Sequence, residues 1–226
     1  MVSSQTLKIV GFRDERVPNT FLRQDSEAEH VALLLPGLRY TCDMPLLHYS
    51  VRLLLHLGAD ALRVEYAYDR RADYQALADA DQERWFFTDV CAACHAALAQ
   101  RSYRRITLIG KSMGTLAMGH LLTTEPALAR AEAIWLTPLL TQDALRKQMR
   151  QHRGRALFAI GTADPFYDAD ALAELRAATG GDVVVVEDAD HSLEIKDDVI
   201  RSVQALEQVM RAVVEILAKV VEPSQG

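Results

Sequence analysis

The chain has 226 residues, of which 50% are hydrophobic, and it carries a net charge of -6 at pH 7 with a pI near 5.6. This length suits one domain with a substantial core, so we predict a single domain over residues 1–226. The acidic balance argues against a nucleic-acid partner. The sequence has neither a run of the roughly 18 apolar residues that a membrane span needs nor the pattern of a secretory signal at its start. We therefore expect a cytoplasmic protein.

The first 30 residues predict an antiparallel hairpin at the edge of a sheet. Short apolar alternations at 7–10 and 17–22 flank a charged turn at 13–16, and alternation on both sides of a turn is typical of paired strands. The continuous apolar run at 31–35 then predicts a strand that is covered on both faces, as in a parallel sheet.

The segment after this strand predicts a second helix–strand unit. A loop leads to a helix at about 45–57, with Thr41 or Asp43 as its N-cap. The next strand is predicted at 62–66, where polar residues among the apolar ones indicate incomplete burial. A polar loop is predicted over 68–81, and none of its residues indicates a catalytic role.

A helix predicted at about 83–100 contains the sequence C-A-A-C-H, formed with Cys91, Cys94 and His95. The pattern matches covalent haem attachment and includes the C-x-x-C of redox proteins. However, it lies inside an amphipathic helix of a chain without an export signal. Three cysteines also favour reduced thiols over a disulfide framework. We interpret the cysteines as small residues on a packed helix face, and we predict no metal and no cofactor.

The sequence G-K-S-M-G stands between a predicted buried strand at 106–109 and a helix at 113–124. A turn this sharp forces Ser112 into a strained conformation with its hydroxyl exposed. Side chains at Gly110 or Gly114 would collide with the adjoining strand or helix. The pentapeptide alone fits an ordinary turn equally well. A nucleophilic serine also needs a histidine and an acid, each at the carboxyl end of a later strand.

The rest of the chain continues the alternation of strands and helices. Strands are predicted at 133–136, 156–160 and 183–186, and helices at about 142–152 and 199–217, before a polar tail at 222–226. We therefore predict an α/β fold with a mainly parallel sheet and helices on both faces. Only about twenty residues separate the first two of these strands, which leaves no room for a cap domain.

Three acids follow the strand at 156–160 and could orient a histidine. Asp164 lies directly after the strand in the sequence G-T-A-D-P-F, where a side chain can reach a crevice at the carboxyl edge of the sheet. Asp168 and Asp170 fall in the first turn of the next helix, and we expect them to cap it.

His191 follows the last strand and has the chain position that the missing base requires. Asp188 and Asp190 are close enough in sequence to pair with it locally. Such near neighbours seldom approach the imidazole from its far side, as Asp164 can. The preferred set is therefore Ser112, Asp164 and His191, in that order.

This order, together with the serine turn, resembles the α/β-hydrolase superfamily over residues 31–221. Within the superfamily the chain is most similar to small, capless, esterase-like members related to dienelactone hydrolase, whose acid and histidine loops resemble G-T-A-D-P-F and A-D-H-S-L. The resemblance implies that Ser112 is the nucleophile, His191 its general base and Asp164 the acid that fixes the tautomer of the histidine.

The backbone N–H groups of Leu38 and Met113 are the predicted donors of an oxyanion hole. Leu38 belongs to the Gly-containing loop after the strand at 31–35, and Met113 follows the serine. Many superfamily members carry His-Gly in this loop, where this chain has Pro36-Gly37. Because the donor is a backbone group, this change need not abolish the hole, and the sequence leaves the shape of the loop open.

These features predict a serine hydrolase that cleaves a carboxylic ester or a thioester of a small acyl substrate through an acyl-enzyme. Two alternatives stay open: a non-catalytic binding or scaffold protein with the same fold, and a hydrolase that cleaves a peptide or a C–C bond. The sequence does not indicate an oligomeric state. Candidate pocket walls, each of which also suits ordinary packing, are Tyr40, Tyr68, Thr137, Phe166 and Tyr167.

Overall fold

An eight-stranded sheet forms the centre of the computed structural model, which describes residues 1–218. The predicted polar tail at 222–226 lies outside the described residues. The strands are β1 (Val2–Gln5), β2 (Asn19–Gln24), β3 (His30–Leu35), β4 (Asp60–Val64), β5 (Arg105–Lys111), β6 (Glu132–Leu136), β7 (Ala156–Gly161) and β8 (Asp182–Val186). Their order across the sheet is β1-β2-β4-β3-β5-β6-β7-β8. The six strands from β4 to β8 in this order run parallel, and β1 and β2 extend the sheet in antiparallel pairs.

Helices cover both faces of the sheet, as predicted. They are α1 (Pro45–His56), α2 (Ala72–Gln75), α3 (Asp79–Leu98), α4 (Met113–Thr124), α5 (Asp143–Gln151), α6 (Ala169–Thr179) and α7 (Val199–Ala218). On one face α1 packs against α7, and on the other α3, α4, α5 and α6 pack side by side. Strand β3 shows how one sheet serves two cores: Val31, Leu33 and Leu35 enter one, and Ala32 and Leu34 the other.

The predicted N-terminal hairpin is present in part: Val10 and Arg16 form an antiparallel bridge across the turn and Val17 N donates to Ile9 O, but the edge strand lies earlier in the chain. Residues 2–5, not 7–10, pair with β2. The apolar alternation at 7–10 instead serves burial: Ile9 enters the core beside Val17. A tight turn at Phe12–Asp14 then holds the segment in place, because the Phe12 N–H donates to the buried carboxylate of Asp89.

Two details around β4 also differ from the prediction. No side chain caps α1, because its N-cap residue is Met44; Asp43 pairs with Arg63 instead. Thr41 accepts a hydrogen bond from the Asp43 N–H. Strand β4 is almost fully buried, since it lies between β2 and β3 and not near the edge of the sheet. The polar character of its sequence comes from Arg63, whose guanidinium reaches out to solvent-exposed acids.

The segment between β4 and β5 contains more helix than predicted. The polar loop expected at 68–81 includes α2 and the first turn of α3. The cysteine motif lies within α3, where Cys94 is buried and Cys91 half-buried, and burial raises the pKa of Cys94 to about 12. Across residues 1–218, no group of three or more His, Cys, Asp or Glu side chains is arranged to hold a metal ion. In the same range, no helix combines the length and apolarity needed to cross a membrane.

Candidate functional site

Ser112 lies at a sharp turn between the end of β5 and the start of α4. Its backbone has φ 53° and ψ -115°, a conformation that L-residues rarely adopt. The two flanking glycines are both closely packed. A Cβ on Gly110 would collide with the Met118 sulfur and with the backbone of Gly114, and a Cβ on Gly114 would collide with the Leu35 carbonyl. Close packing of β5, β3 and α4 therefore permits this turn only with glycine at both positions.

The structure brings Ser112, His191 and Asp164 together. The imidazole Nε2 of His191 lies 2.7 Å from Ser112 Oγ, and its Nδ1 lies 2.8 Å from Asp164 Oδ2. Asp164 is 4% exposed, and its other oxygen accepts the Phe166 N–H. A carboxylate only accepts, so Nδ1 carries the proton and Nε2 is left to accept from the serine hydroxyl. In this arrangement the serine hydroxyl donates to the imidazole, so Nε2 is the nitrogen that could accept the serine proton.

Backbone hydrogen bonds among the strand ends hold these three side chains close together. The loop after β7 hydrogen bonds to the segment after β8, with Thr162 N donating to Val186 O and Ala163 N to Ala189 O. Gly161 permits this contact, because a Cβ there would collide with the backbone of Ala189. Ser112 N donates to Leu136 O at the end of β6. The three groups thus meet at the carboxyl edge of the sheet, where parallel strands place their loops.

The competing acids have other partners. Asp168 caps α6 by accepting the Ala171 N–H, as predicted, and Asp170 stands exposed in its first turn. Asp188 pairs with Arg201 on the surface. Asp190 instead accepts N–H groups from the loop that carries His191. Asp164 is therefore the carboxylate that contacts the imidazole.

The predicted oxyanion loop lies against the serine turn. A Cβ on Gly37 would stand 3.1 Å from Ser112 Cβ, so a side chain there would require its neighbours to shift by a few tenths of an ångström. The Pro36 carbonyl accepts a hydrogen bond from the buried Tyr66 hydroxyl at 2.8 Å, which fixes the start of the loop. Leu38 is half-exposed, and Met113 is the first residue of α4, where N–H groups have no acceptor within the helix. The two predicted donors thus belong to adjacent segments.

Lys111 is a site residue that the sequence reasoning missed. It is 2% exposed, and its ammonium donates to the His191 carbonyl at 2.6 Å. Its nitrogen also lies 4.8 Å from the centre of the Tyr40 ring. Burial lowers the pKa of Lys111 to about 8, against the opposing charges of Asp164 and Asp190. The available signal was a charged residue directly after Leu108, Ile109 and Gly110 in the same strand.

The candidate wall residues divide into two groups. The Phe166 ring lies 5.1 Å from the His191 ring, and Tyr40 contacts Lys111. Tyr68 instead belongs to the core, where it donates to Asp89 and stacks on Tyr66 and Tyr74. Of the other two, Tyr167 N donates to Asp164 O, next to the triad, whereas Thr137 N donates to Ala159 O in β7.

A cavity of about 640 Å³ lies beside the triad, between the His191 loop and the first turns of α1 and α7. Ala163, Asp190 and Ser192, which flank Asp164 and His191 in the chain, contribute to its wall, whereas Ser112 and His191 do not. The cavity therefore lies beside the loops that carry Asp164 and His191, and Ser112 is not among its lining residues. Its acidic lining residues are Asp188, Asp190, Glu194, Asp197 and Asp198, and Lys196 is the lysine among its lining residues.

The amino-acid sequence matches the family model described as the alpha/beta hydrolase domain over residues 37–222. A search of curated protein sequences finds no significant match.

Solved structures similar to this chain match it over nearly the whole length of both chains. A protein of Klebsiella pneumoniae subsp. pneumoniae, provisionally described as a dienelactone hydrolase, superposes with a TM-score of 0.70 at 13% identity, covering 97% of this chain and 100% of that one. A Pyrococcus furiosus esterase gives a TM-score of 0.68 at 12% identity, covering 96% and 92%. A Xanthomonas campestris protein described as a serine hydrolase without a lid gives 0.66 at 16% identity, covering 97% of each chain. At these identities the likeness shows the fold.

Proposed function

The chain belongs to the alpha/beta hydrolase domain family, and on that premise we propose that it is a serine hydrolase acting on a small acyl substrate. The observation that carries the proposal is the position of the His191 ring, whose two nitrogens lie 2.7 Å from the Ser112 hydroxyl and 2.8 Å from the Asp164 carboxylate. A histidine so placed can take the serine proton while the carboxylate stabilises the resulting imidazolium. The bond that it cleaves is a carboxylic ester or a thioester.

In the proposed reaction, Ser112 Oγ attacks the carbonyl carbon while His191 Nε2 takes its proton. The carbonyl oxygen becomes negative and rests on the N–H groups of Leu38 and Met113, with the N-terminus of α4 also favouring the charge. His191 then gives its proton to the leaving group, which departs and leaves an acyl-serine. Water attacks the acyl-serine with His191 again as the base, and the acid product and free Ser112 result.

The charge around the site favours an ester over an acyl-coenzyme A thioester. The cavity beside the triad has five carboxylates and one lysine in its lining, and the whole chain has a net charge of -6. A negative potential at a cleft lowers the local concentration of anions, and coenzyme A brings several phosphate charges. The proposed substrate is therefore a neutral or cationic ester.

The proposed compartment is the cytoplasm. The three cysteines, Cys42, Cys91 and Cys94, are free thiols, as expected for a protein in a reducing compartment.

Hydrolysis of p-nitrophenyl acetate by the wild-type chain and by Ser112→Ala tests the proposal. We expect the variant to lose at least about 10⁴-fold in kcat, the scale of losing a nucleophile, while its thermal unfolding is unchanged. Ser4→Ala, on the exposed strand β1, is the matched control and keeps full activity. Activity retained by Ser112→Ala would contradict the assignment. An acetyl-coenzyme A assay run beside it tests the preference for esters.

A further inference from the structure

Lys111 places a positive charge inside the protein next to the proposed nucleophile. Its neighbours along β5, from Leu108 to Gly110, are fully enclosed in the sheet, and Lys111 itself is 2% exposed. Lysine is almost never so deeply buried without a partner. Its partner here is the backbone carbonyl of His191, at 2.6 Å from the ammonium nitrogen.

The Lys111 side chain also passes beneath the oxyanion loop. A Cβ on Gly37 would stand 3.3 Å from Lys111 Cδ, so the glycine leaves the path that the side chain follows. The ammonium then meets the face of the Tyr40 ring at 4.8 Å, within the range of a cation–π interaction. Tyr40 is itself fixed, because its hydroxyl accepts the Leu46 N–H in the first turn of α1. Lys111 thus connects the turn at Ser112, the oxyanion loop around Gly37 and the loop after β8 that carries His191, here called the histidine loop.

The histidine loop needs such a connection. Two of its non-glycine residues, Asp188 and Leu193, have φ of 60°, which disfavours this loop conformation unless contacts hold it. The Lys111 ammonium holds the carbonyl of the very residue whose ring bridges serine and acid. Fixing that carbonyl restricts the backbone of His191 and, with it, the direction in which the imidazole extends.

The buried ammonium lowers stability. The charged groups that face it are Asp164 and Asp190, from the loops after β7 and β8, and the facing aromatic ring is Tyr40. Burial outweighs the two carboxylates, so the pKa of Lys111 falls from 10.5 to about 8. Since the unfolded chain then binds more protons between pH 8 and 10.5, this group makes stability rise with pH in that window. An apolar side chain at this position would remove the cost of burying a charge.

From these contacts we propose that Lys111 is a positioning residue, whose ammonium holds the His191 carbonyl so that the imidazole stays between Ser112 and Asp164. This role rests on the proposed hydrolase function. It explains why a residue unfavourable for the fold occupies the position next to the serine. It also separates two quantities that a merely structural residue would change together, namely activity and stability.

Lys111→Met, which keeps the length of the side chain and removes its charge, tests the proposal. We expect kcat for p-nitrophenyl acetate to fall about 10- to 100-fold, the factor that corresponds to losing a hydrogen bond from a charged group, with KM nearly unchanged. We expect the melting temperature to stay the same or rise. Lys147→Met, at an exposed site on α5, is the matched control and should match the wild type in both measurements.

A spectroscopic measurement tests the same contact without relying on turnover. The proton on His191 Nδ1, shared with Asp164, should give a far-downfield NMR signal in the wild type, assigned by its absence in His191→Gln. We expect Lys111→Met to weaken or shift this signal, and Lys111→Gln, which keeps a donor without the charge, to fall between the two.

The outcomes separate the two proposals. A wild-type chain without activity on p-nitrophenyl acetate or acetyl-coenzyme A would contradict the hydrolase function, while the NMR signal would still report on the contact between Lys111 and the His191 carbonyl. Lys111→Met with wild-type kcat and an unchanged signal would overturn the positioning role. A fall in its melting temperature, or failure to fold, would equally contradict the proposal that this ammonium serves the site at the expense of the fold.

Discussion

The parallel strands begin at the amino edge of the sheet and end at its carboxyl edge. Each of these two edges carries a hydroxyl, an imidazole and a carboxylate, but the order in which they are hydrogen-bonded differs. At the carboxyl edge, His191 lies between the Ser112 hydroxyl and the Asp164 carboxylate. At the amino edge, the hydroxyl of Thr107 takes the middle position. It donates to Glu132 Oε2 at 2.8 Å and lies 2.9 Å from His30 Nε2.

This difference in order explains why the carboxyl edge, and not the amino edge, is the proposed catalytic site. Because the Thr107 proton already points at Glu132, the oxygen can only accept from the Nε2–H of His30. The imidazole at this edge therefore cannot take a proton from the hydroxyl, whereas His191 can. Burial also lowers the pKa of His30 to about 4, so it stays neutral at neutral pH. A hydroxyl, an imidazole and a carboxylate make a candidate nucleophile only when the imidazole stands between the other two.

The carboxylates differ in the same way. Glu132, 3% exposed, is neutralised by permanent charges: Arg105 contacts both of its oxygens, and Arg155 contacts one. Arg105 further donates to Leu217 O and so ties the end of α7 to the sheet. Asp164 faces the titratable His191 instead. The amino edge thus has the charge pairing of a structural network, and the carboxyl edge has that of the proposed catalytic site.

Substituting the histidine at the carboxyl edge gives the largest expected effect, and substituting the one at the amino edge is its control. We predict that His191→Gln lowers kcat for p-nitrophenyl acetate by at least about 10⁴-fold, because the serine loses its base. His30→Gln, the matched control, should leave kcat unchanged, since His30 lies at the far edge of the sheet. Steady-state kinetics on both variants checks this. Equal losses of activity would mean that the comparison between the edges is wrong.

Neutralising the two carboxylates should separate activity from stability. Asp164→Asn is expected to lower kcat about 10³- to 10⁴-fold with little effect on unfolding, because the amide can hold His191 in the wrong tautomer. Glu132→Gln should cost about 3 kcal/mol of unfolding free energy, since Arg105 and Arg155 lose the charge that they face. The specific activity of its folded fraction should stay normal. Urea unfolding and kinetics measure both, and reversed roles would contradict the assignment.

The pH dependence of stability should report on the amino edge. The pKa of His30 is about 4 in the folded chain and about 6.5 when unfolded. The unfolded chain therefore binds more protons between these values, and stability is lost as the pH falls through this window. We predict a loss of about 2 kcal/mol from pH 7 to pH 5 due to this group. Urea unfolding of the wild type should show a steeper decline over this range than that of His30→Gln, and parallel curves would exclude this role.

The smallest expected effect concerns the support of the oxyanion loop. Tyr66→Phe removes the hydroxyl that donates to the Pro36 carbonyl. We predict a decrease in kcat of about 3- to 10-fold and a destabilisation of about 1 kcal/mol, the scale of one hydrogen bond. Tyr103→Phe, which removes a hydroxyl bonded to Asp60 near the amino edge, should show the loss of stability without the loss of activity. Identical kinetics for the two variants would contradict a role of Tyr66 in supporting the oxyanion loop.

The sequence predicted most of the fold and the three side chains that meet, because each depends on local patterns. Buried parallel strands such as β3 are continuous apolar runs, and their order along the chain requires the ends of β5, β7 and β8 to share an edge. The predictions that failed depended on distant contacts. The alternation at 7–10 is explained by burial beside Val17, and the burial of β4 by its two neighbouring strands.

Lys111 shows the same limit within the site. Nothing beside it in the sequence reveals that its ammonium meets the carbonyl of His191, 80 residues away. The amino-edge network was equally hidden, since Thr107, Glu132 and Arg155 come from three separate strands or loops. Residue type indicates which chemistry is available, and only the fold determines which groups meet.

Covalent labelling of the serine tests the central claim most directly. The chain is incubated with a fluorophosphonate probe, and the modified residue is identified by peptide mass spectrometry. We predict one adduct, on Ser112, which forms at an unchanged rate in His30→Gln and is lost in His191→Gln. An unlabelled wild-type chain, or an adduct that forms equally well without His191, would contradict the claim that this imidazole activates Ser112.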